Sequence, residues 1–219
     1  MTALTDFRTR INAVLVDTGA TIYTTAIVDE ALKQALSEYN DALPLAKETV
    51  LTLPGDGREI ALNGLSGLRR VLDVYWPFDS LAEAWPPNQV RGWYVYWDDA
   101  QPVLYLNSIE GDEPQLNDEL RLWYTVSHSI DGLSSATVTT IPTEHESLLV
   151  SGAAGHAAMQ RTVDLTEITS ADLYSVGLLA VWAQRKLKEF RDALEKIKRA
   201  SSRSGQPYTQ GWKLDKWDQ

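Results

Sequence analysis

The spacing of apolar residues switches twice along this chain, and that switch constrains the fold more than any single motif does. Up to about residue 43 the apolar residues recur every three or four positions. Between Glu48 and Ile141 they tend to alternate, and after Pro142 the helical spacing returns. A helix buries one stripe and a strand buries one face, so each period dictates a different kind of packing partner. A chain ordered helices, strands, helices cannot wind the alternating βαβ units of a nucleotide-binding fold. The expectation is an α+β protein: a helical bundle of about four helices with an inserted antiparallel β-sheet or small sandwich. Its expected divisions are 1–45 for the first part of the bundle, 46–141 for the β-region, 142–201 for the second part, and 202–219 for a flexible carboxyl-terminal tail.

The helical segments carry their own start and stop signals. Phe7, Ile11, Val14 and Leu15 keep helical spacing from Thr5 to about Asp17, and Gly19 is a natural stop. Thr24 or Thr25 is a good cap for a second helix with the face Ile27, Val28, Ala31, Leu32, Ala35, Leu36 and Tyr39, which Pro44 ends. Thr143 and Glu146 form the T-x-x-E pattern of a capping box ahead of a third helix. The middle of that helix, SGAAGHAAMQ, is nearly all small. Gly152 and Gly155 each cost about 1 kcal/mol of helix propensity relative to alanine, so close approach of a neighbouring backbone is expected there, with Ala158 on the same stretch. In the fourth helix, from about Ser170 to Ala200, Val176, Ala180, Ala183, Leu187, Phe190, Leu194 and Ile197 recur at steps of four and three. That is a heptad-like seam suited to a bundle or an oligomeric contact.

In the β-region, ETVLTLPGDGREIALNGL predicts two short strands around a Gly55-Asp56-Gly57 hairpin turn. LRRVLDVYWP, VRGWYVYWDD, PVLYLN and ELRLWYTVSHSI predict the remaining strands. In WYVYWDD, strand parity sends Trp93, Val95 and Trp97 to one side and Tyr94 and Tyr96 to the other. Trp93, Tyr94, Tyr96 and Trp97 are therefore the candidate contact residues of the β-region, offering an aromatic platform or packing a neighbouring module.

Charge narrows the partners. The 219 residues carry a formal net charge of −10, which opposes binding to a phosphate backbone, because duplex affinity is built on Lys and Arg neutralising phosphates. DNA is expected only in passage. The basic run from Arg185 to Arg203 is best read as one wall of the bundle, its cations gathered towards the helix carboxyl end where the macrodipole favours them. There is no cysteine, which removes disulfides, thiolate nucleophiles and Cys-ligated zinc together. The first twenty residues mix acidic and basic side chains and form neither a signal peptide nor an anchor. No run of about twenty apolar residues exists to span a membrane. A soluble product made in the cytoplasm is expected, with no membrane partner.

Catalytic patterns are sparse, and no enzyme, catalytic residue, metal or cofactor is expected. The three histidines are His128, His145 and His156. The zinc-protease pattern H-E-x-x-H would need histidine at 149, where Leu149 stands. His145 and His156 lie three turns apart on one helix, too far to share a metal. Ser151 in LVSGAAG lacks the first glycine of a nucleophile elbow and falls within a helix. Asp98-Asp99 and Asp112-Glu113 sit at apparent turns, where carboxylates are common for local hydrogen-bonding reasons.

The order of these pieces resembles the head-to-tail adaptor, or connector, proteins of tailed bacteriophages. The likeness rests on IVDEALKQALSEYNDALP, ETVLTLPGDGREIALNGLSGLRRVLDVYWP, DELRLWYTVSHSIDGL, IPTEHESLLVSGAAGHAAMQR and VWAQRKLKEFRDALEKIKR, and covers most of residues 20–200. In the last segment Trp182, Gln184, Leu187, Phe190 and Leu194, with Ala183 at the small position, resemble the family's closing-helix pattern. The resemblance implies a virion structural protein of the phage neck, made in the host cytoplasm. It implies a homo-oligomeric ring, commonly of twelve copies, beneath the portal protein and joined to tail or neck proteins. Gly152, Gly155, Ala158, Trp182, Leu187, Phe190 and Leu194 become candidate packing residues, within the bundle or between subunits. By the same analogy Tyr208, Trp212, Lys213, Leu214 and Trp217 become candidate portal-docking residues. Two tryptophans on a polar tail are costly to leave in water and suit folding upon binding. Twelve acidic copies would carry a charge on the order of −120, a wall past which DNA slides without sticking. Two alternatives stay open: another neck or tail-completion ring of stopper or nozzle type, and a carbohydrate-binding β-module built on WYVYWDD.

Overall fold

The structure, a computed structural model, describes residues 2–81, 88–108, 113–167 and 172–204. The fold is α+β, with four helices and two three-stranded antiparallel sheets. The chain divides into a helical unit, residues 1–43 with 128–219, and a β unit, residues 44–127.

The helical unit contains α1 (Leu4–Val14), α2 (Thr25–Ala42), α3 (Thr143–Thr166) and α4 (Leu173–Ser204). Leu4, Phe7 and Ile11 of α1, and Val28, Ala31, Leu32, Ala35 and Tyr39 of α2, are all buried in one core. Leu149, Val150, Ala153, Ala154 and Ala157 of α3, and Phe190 and Leu194 of α4, complete it. Apolar stripes at three- and four-residue spacing thus find one another, which supplies most of the stability such helices have.

Residues 128–141 belong to this unit, not to the β-region in which their alternating pattern places them. Ile130, Leu133 and Ile141 are core side chains there, and the backbone N–H of His128 donates to Asn40 Oδ1 at 2.6 Å. The alternating pattern of WYTVSHSI runs past the last strand because buried loop residues also alternate when their backbone is extended.

Two helix-start signals act differently from their local reading. Thr24 stands at the N-cap of α2 but makes no side-chain cap bond. Pro142, not Thr143, is the N-cap of α3, so the expected capping box does not form. Glu146 is instead buried and turned towards α1, where it accepts hydrogen bonds from Arg10 Nη1 at 2.7 Å and from the hydroxyl of Thr2. A tertiary partner of opposite charge outcompetes the backbone N–H that a capping glutamate would serve.

The β unit holds β1 (Leu45–Thr52), β2 (Glu59–Ala61), β3 (Leu68–Phe78), β4 (Gly92–Asp98), β5 (Gln101–Ser108) and β6 (Glu119–Val126). One sheet has the order β1-β6-β3, the other β2-β5-β4. Leu120, Leu122, Tyr124 and Val126 of central β6 share a core with Val71, Val74 and Trp76 of β3, Ile60 of β2, and Leu104 and Leu106 of β5. The small sandwich is thus two sheets around one apolar layer. Pro77 sits in β3, an edge strand, where a missing N–H costs least.

The predicted β1–β2 hairpin does not form. β1 pairs with β6 and β2 with β5, in different sheets. The Gly55-Asp56-Gly57 segment carries the chain between sheets, tied to 114–118 by Gly57 N–H to Pro114 O (2.9 Å), Leu116 N–H to Asp56 Oδ1 (2.7 Å) and Leu53 N–H to Asp118 O (2.8 Å). The tight hairpin is β4–β5, where Asp98 pairs with Gln101 across a two-residue turn. Its central residues Asp99 and Ala100 have φ of 43° and 65°, the left-handed pair whose twist matches the flanking strands.

Candidate interaction surfaces

The small-residue stretch of α3 is the bed for α4. A Cβ on Gly152 would stand 2.9 Å from Cγ, Cδ1 and Cδ2 of Phe190, and one on Gly155 would stand 3.0 Å from Leu187 Cγ. Phe190 and Leu194 are buried in the helical core with Trp182 half-buried against it, and Ala158 and Leu187 are buried as well. The structure therefore sets Gly152 against Phe190 and Gly155 against Leu187 within one chain: glycine on one helix admits a bulky side chain from the other.

The basic face of α4 is largely occupied. Arg191 holds Glu38 of α2 through two bonds of 2.7 Å, Nε to Oε2 and Nη2 to Oε1. Arg185 and Lys186 lie 3.0 and 3.2 Å from Glu189, and Arg199 pairs with Glu195. The Arg191 guanidinium holds the Glu38 carboxyl below its ordinary range, against the opposing effect of burial, with His156 helping. His156 Nε2 approaches Glu38 Oε1 at 3.1 Å, yet burial pulls its pKa below the ordinary histidine value.

The other two histidines flank Tyr39. Its hydroxyl meets His145 Nδ1 at 2.7 Å, and its ring lies edge-on to His128 with centroids 5.3 Å apart. Burial pushes the Tyr39 phenol up to about 12 and lowers the pKa of His128. His128 Nδ1 lies 3.0 Å from the Thr140 carbonyl and 3.1 Å from the Thr140 hydroxyl. Among the described residues no three His, Asp or Glu side chains gather as metal ligands. No described helix is long and apolar enough to cross a membrane.

Two surfaces stand out. On α4, Leu173, Tyr174, Leu178 and Val181 are exposed, Leu173 at 78%. The spacing of Tyr174, Leu178 and Val181 is a second helical stripe, legible in the sequence but overshadowed by the stronger heptad seam. Contiguous exposed apolar side chains of this kind mark association surfaces.

The second surface is the outer face of the β2-β5-β4 sheet. Register places Glu59, Tyr105 and Tyr94 in one row and Ala61, Val103 and Tyr96 in the next. Tyr94 stacks near Tyr105 with centroids 5.1 Å apart and planes inclined by 30°, and lies 6.2 Å from Tyr96. Partial burial, and a hydrogen bond from the Tyr96 hydroxyl to Glu59, hold the Tyr96 phenol above its usual pKa. The four aromatics of WYVYWDD thus have different fates. Trp93 packs on the sandwich core with Val95, whereas Tyr94 is exposed at 50% and Trp97 at 63%. Trp97 has inward parity but lies opposite Pro102 near the hairpin turn, so it remains wet where its parity predicts burial. Tyr105, which the reading of β4 alone misses, joins the cluster through cross-strand pairing. The tail candidates Tyr208, Trp212, Lys213, Leu214 and Trp217 lie outside the described residues.

No protein-family model and no curated protein matches this chain. A solved structure, described as the neck of an empty GTA particle computed with C6 symmetry, is similar at a TM-score of 0.29 and 14% identity. That likeness covers 72% of this chain and 77% of the other.

Proposed function

We propose that this chain is a non-catalytic structural subunit of a phage-type neck, a head-to-tail adaptor that assembles as a ring beneath the portal protein. Such a ring joins the portal to tail or neck proteins and leaves a channel for DNA. The reading is supported by the resemblance of the helix and strand segments to the adaptor family. The observation that carries it is the exposed stripe of Tyr174, Leu178 and Val181 on α4, with Leu173 exposed at the start of the same helix. Phe190 and Leu187 of α4 pack on α3 within the chain, and this additional exposed apolar face suits a contact with a neighbouring copy or the portal.

Mixing the purified protein with portal particles and imaging them by negative stain tests the proposal. Rings seated on portal, weakened by Leu178→Asp, are the expected result. Failure to bind portal, with capture of a tail tube instead, would reject the adaptor role in favour of a stopper or nozzle-type ring. Removing the residues after 201 should leave the fold intact and weaken portal binding. Unchanged binding would remove the docking role of the tail.

A further inference from the structure

The outer face of the β2-β5-β4 sheet combines three features that point to one kind of occupant. Its aromatic side chains are phenols arranged in adjoining rows, with Tyr94 half exposed at the edge of the sheet. Its charged side chains are carboxylates: Glu59 lies in the Tyr94–Tyr105 row, and Asp98 lies one step beyond Tyr96, while none of Ala61, Val103 or Asn107 brings a cation. The unit that carries the face is the acidic part of the molecule, with six Lys and Arg against thirteen Asp and Glu between residues 44 and 127. Ring faces and carboxylates both attract a guanidinium or ammonium group, whereas an acidic or phosphorylated partner would meet repulsion.

We propose that this face docks an extended protein segment bearing arginine or lysine at alternate positions. The spacing argues for an extended segment: same-side residues on a strand recur every ~6.6 Å, close to the 6.2 Å between the Tyr94 and Tyr96 centroids. One cation lies over the Tyr94–Tyr105 pair within reach of Glu59, and the next lies over Tyr96 within reach of Asp98. Arginine is favoured over lysine because its planar group stacks on a ring while its edge pairs with a carboxylate. The inference stands on the sheet face alone and does not depend on the ring assembly.

The probe is an acetylated Gly-Arg-Gly-Arg-Gly-Arg peptide, titrated into the full chain at about 0.15 M salt, where diffuse attraction is screened, and followed by NMR of the tyrosine rings. Shifts concentrated at Tyr94, Tyr96 and Tyr105 are expected. The citrulline peptide, identical in shape but uncharged, should not bind. Tyr94→Ala and the milder Glu59→Gln should each weaken binding about fivefold, while Trp97→Ala, with inward parity, should leave it unchanged. Equal binding by Glu59→Gln, equal binding of the citrulline peptide, or shifts scattered over the acidic surface would overturn the proposal. So would saturation of the same rings by maltohexaose with no response to the arginine peptide, which would make the face a glycan site.

Discussion

Replacing Gly152 by alanine sets two known effects against each other. Alanine at a helix interior gains about 1 kcal/mol over glycine, so propensity alone predicts a more stable protein. The added Cβ, however, would stand 2.9 Å from three atoms of the Phe190 ring. Phe190 is 1% exposed, so its ring has nowhere to turn. Forcing a methyl group into a packed site costs about 1–3 kcal/mol, and contact with three ring atoms at once places this case towards the upper end. The net expectation is a loss of about 1–2 kcal/mol. Urea unfolding followed by circular dichroism at 222 nm reads the helical unit, because all four helices lie there. Phe190→Leu alone should also destabilise, by leaving a void. In that background Gly152→Ala should become neutral or stabilising, a coupling of opposite sign to the single-site cost. A stabilising Gly152→Ala in the wild-type background would refute the close-packing account of the α3–α4 contact.

Gly177 supplies the converse case. It lies within α4, and a Cβ added there would meet nothing within 4 Å beyond its own turns of helix, so Gly177→Ala should stabilise by about 0.5–1 kcal/mol in the same assay. Ala100→Gly should stabilise the β unit by about 0.5–1 kcal/mol, because Ala100 is held at φ 65°, where a side chain is penalised; near-ultraviolet unfolding curves read this unit. Burial lowers the pKa of both His128 and His156, so the unfolded chain takes up their protons first. Their stability contribution is therefore complete above about pH 6.5 and declines as pH falls below it. Urea midpoints should drop between pH 7 and 5.5, and His156→Gln should flatten that slope; a midpoint that rises on acidification would contradict the assignment.

Much of this was legible in residue spacing. The two changes of period locate helices and strands because each period is a local consequence of backbone geometry. Pairing is not local. ETVLTLPGDGREIAL looks like a hairpin because its turn residues permit one, yet β6 and β5 offered longer partners and drew its two strands into separate sheets. Thr143 and Glu146 have capping-box spacing, but Arg10 from a distant helix claimed the carboxylate. Trp93 and Trp97 have the same parity, and only the position of the core along β4 decides that one is covered and the other wet.

The α+β class, the small-residue stretch of α3 and the heptad seam of α4 were all specified locally, since each is written in the size and period of neighbouring residues. Tertiary contacts alone settled that Phe190 fills the space over Gly152, that residues 128–141 pack with the helices, and that Tyr105 joins Tyr94 and Tyr96. Those outcomes depend on which distant segments meet, and a contact between residues far apart in the chain leaves no mark on the local period of either one.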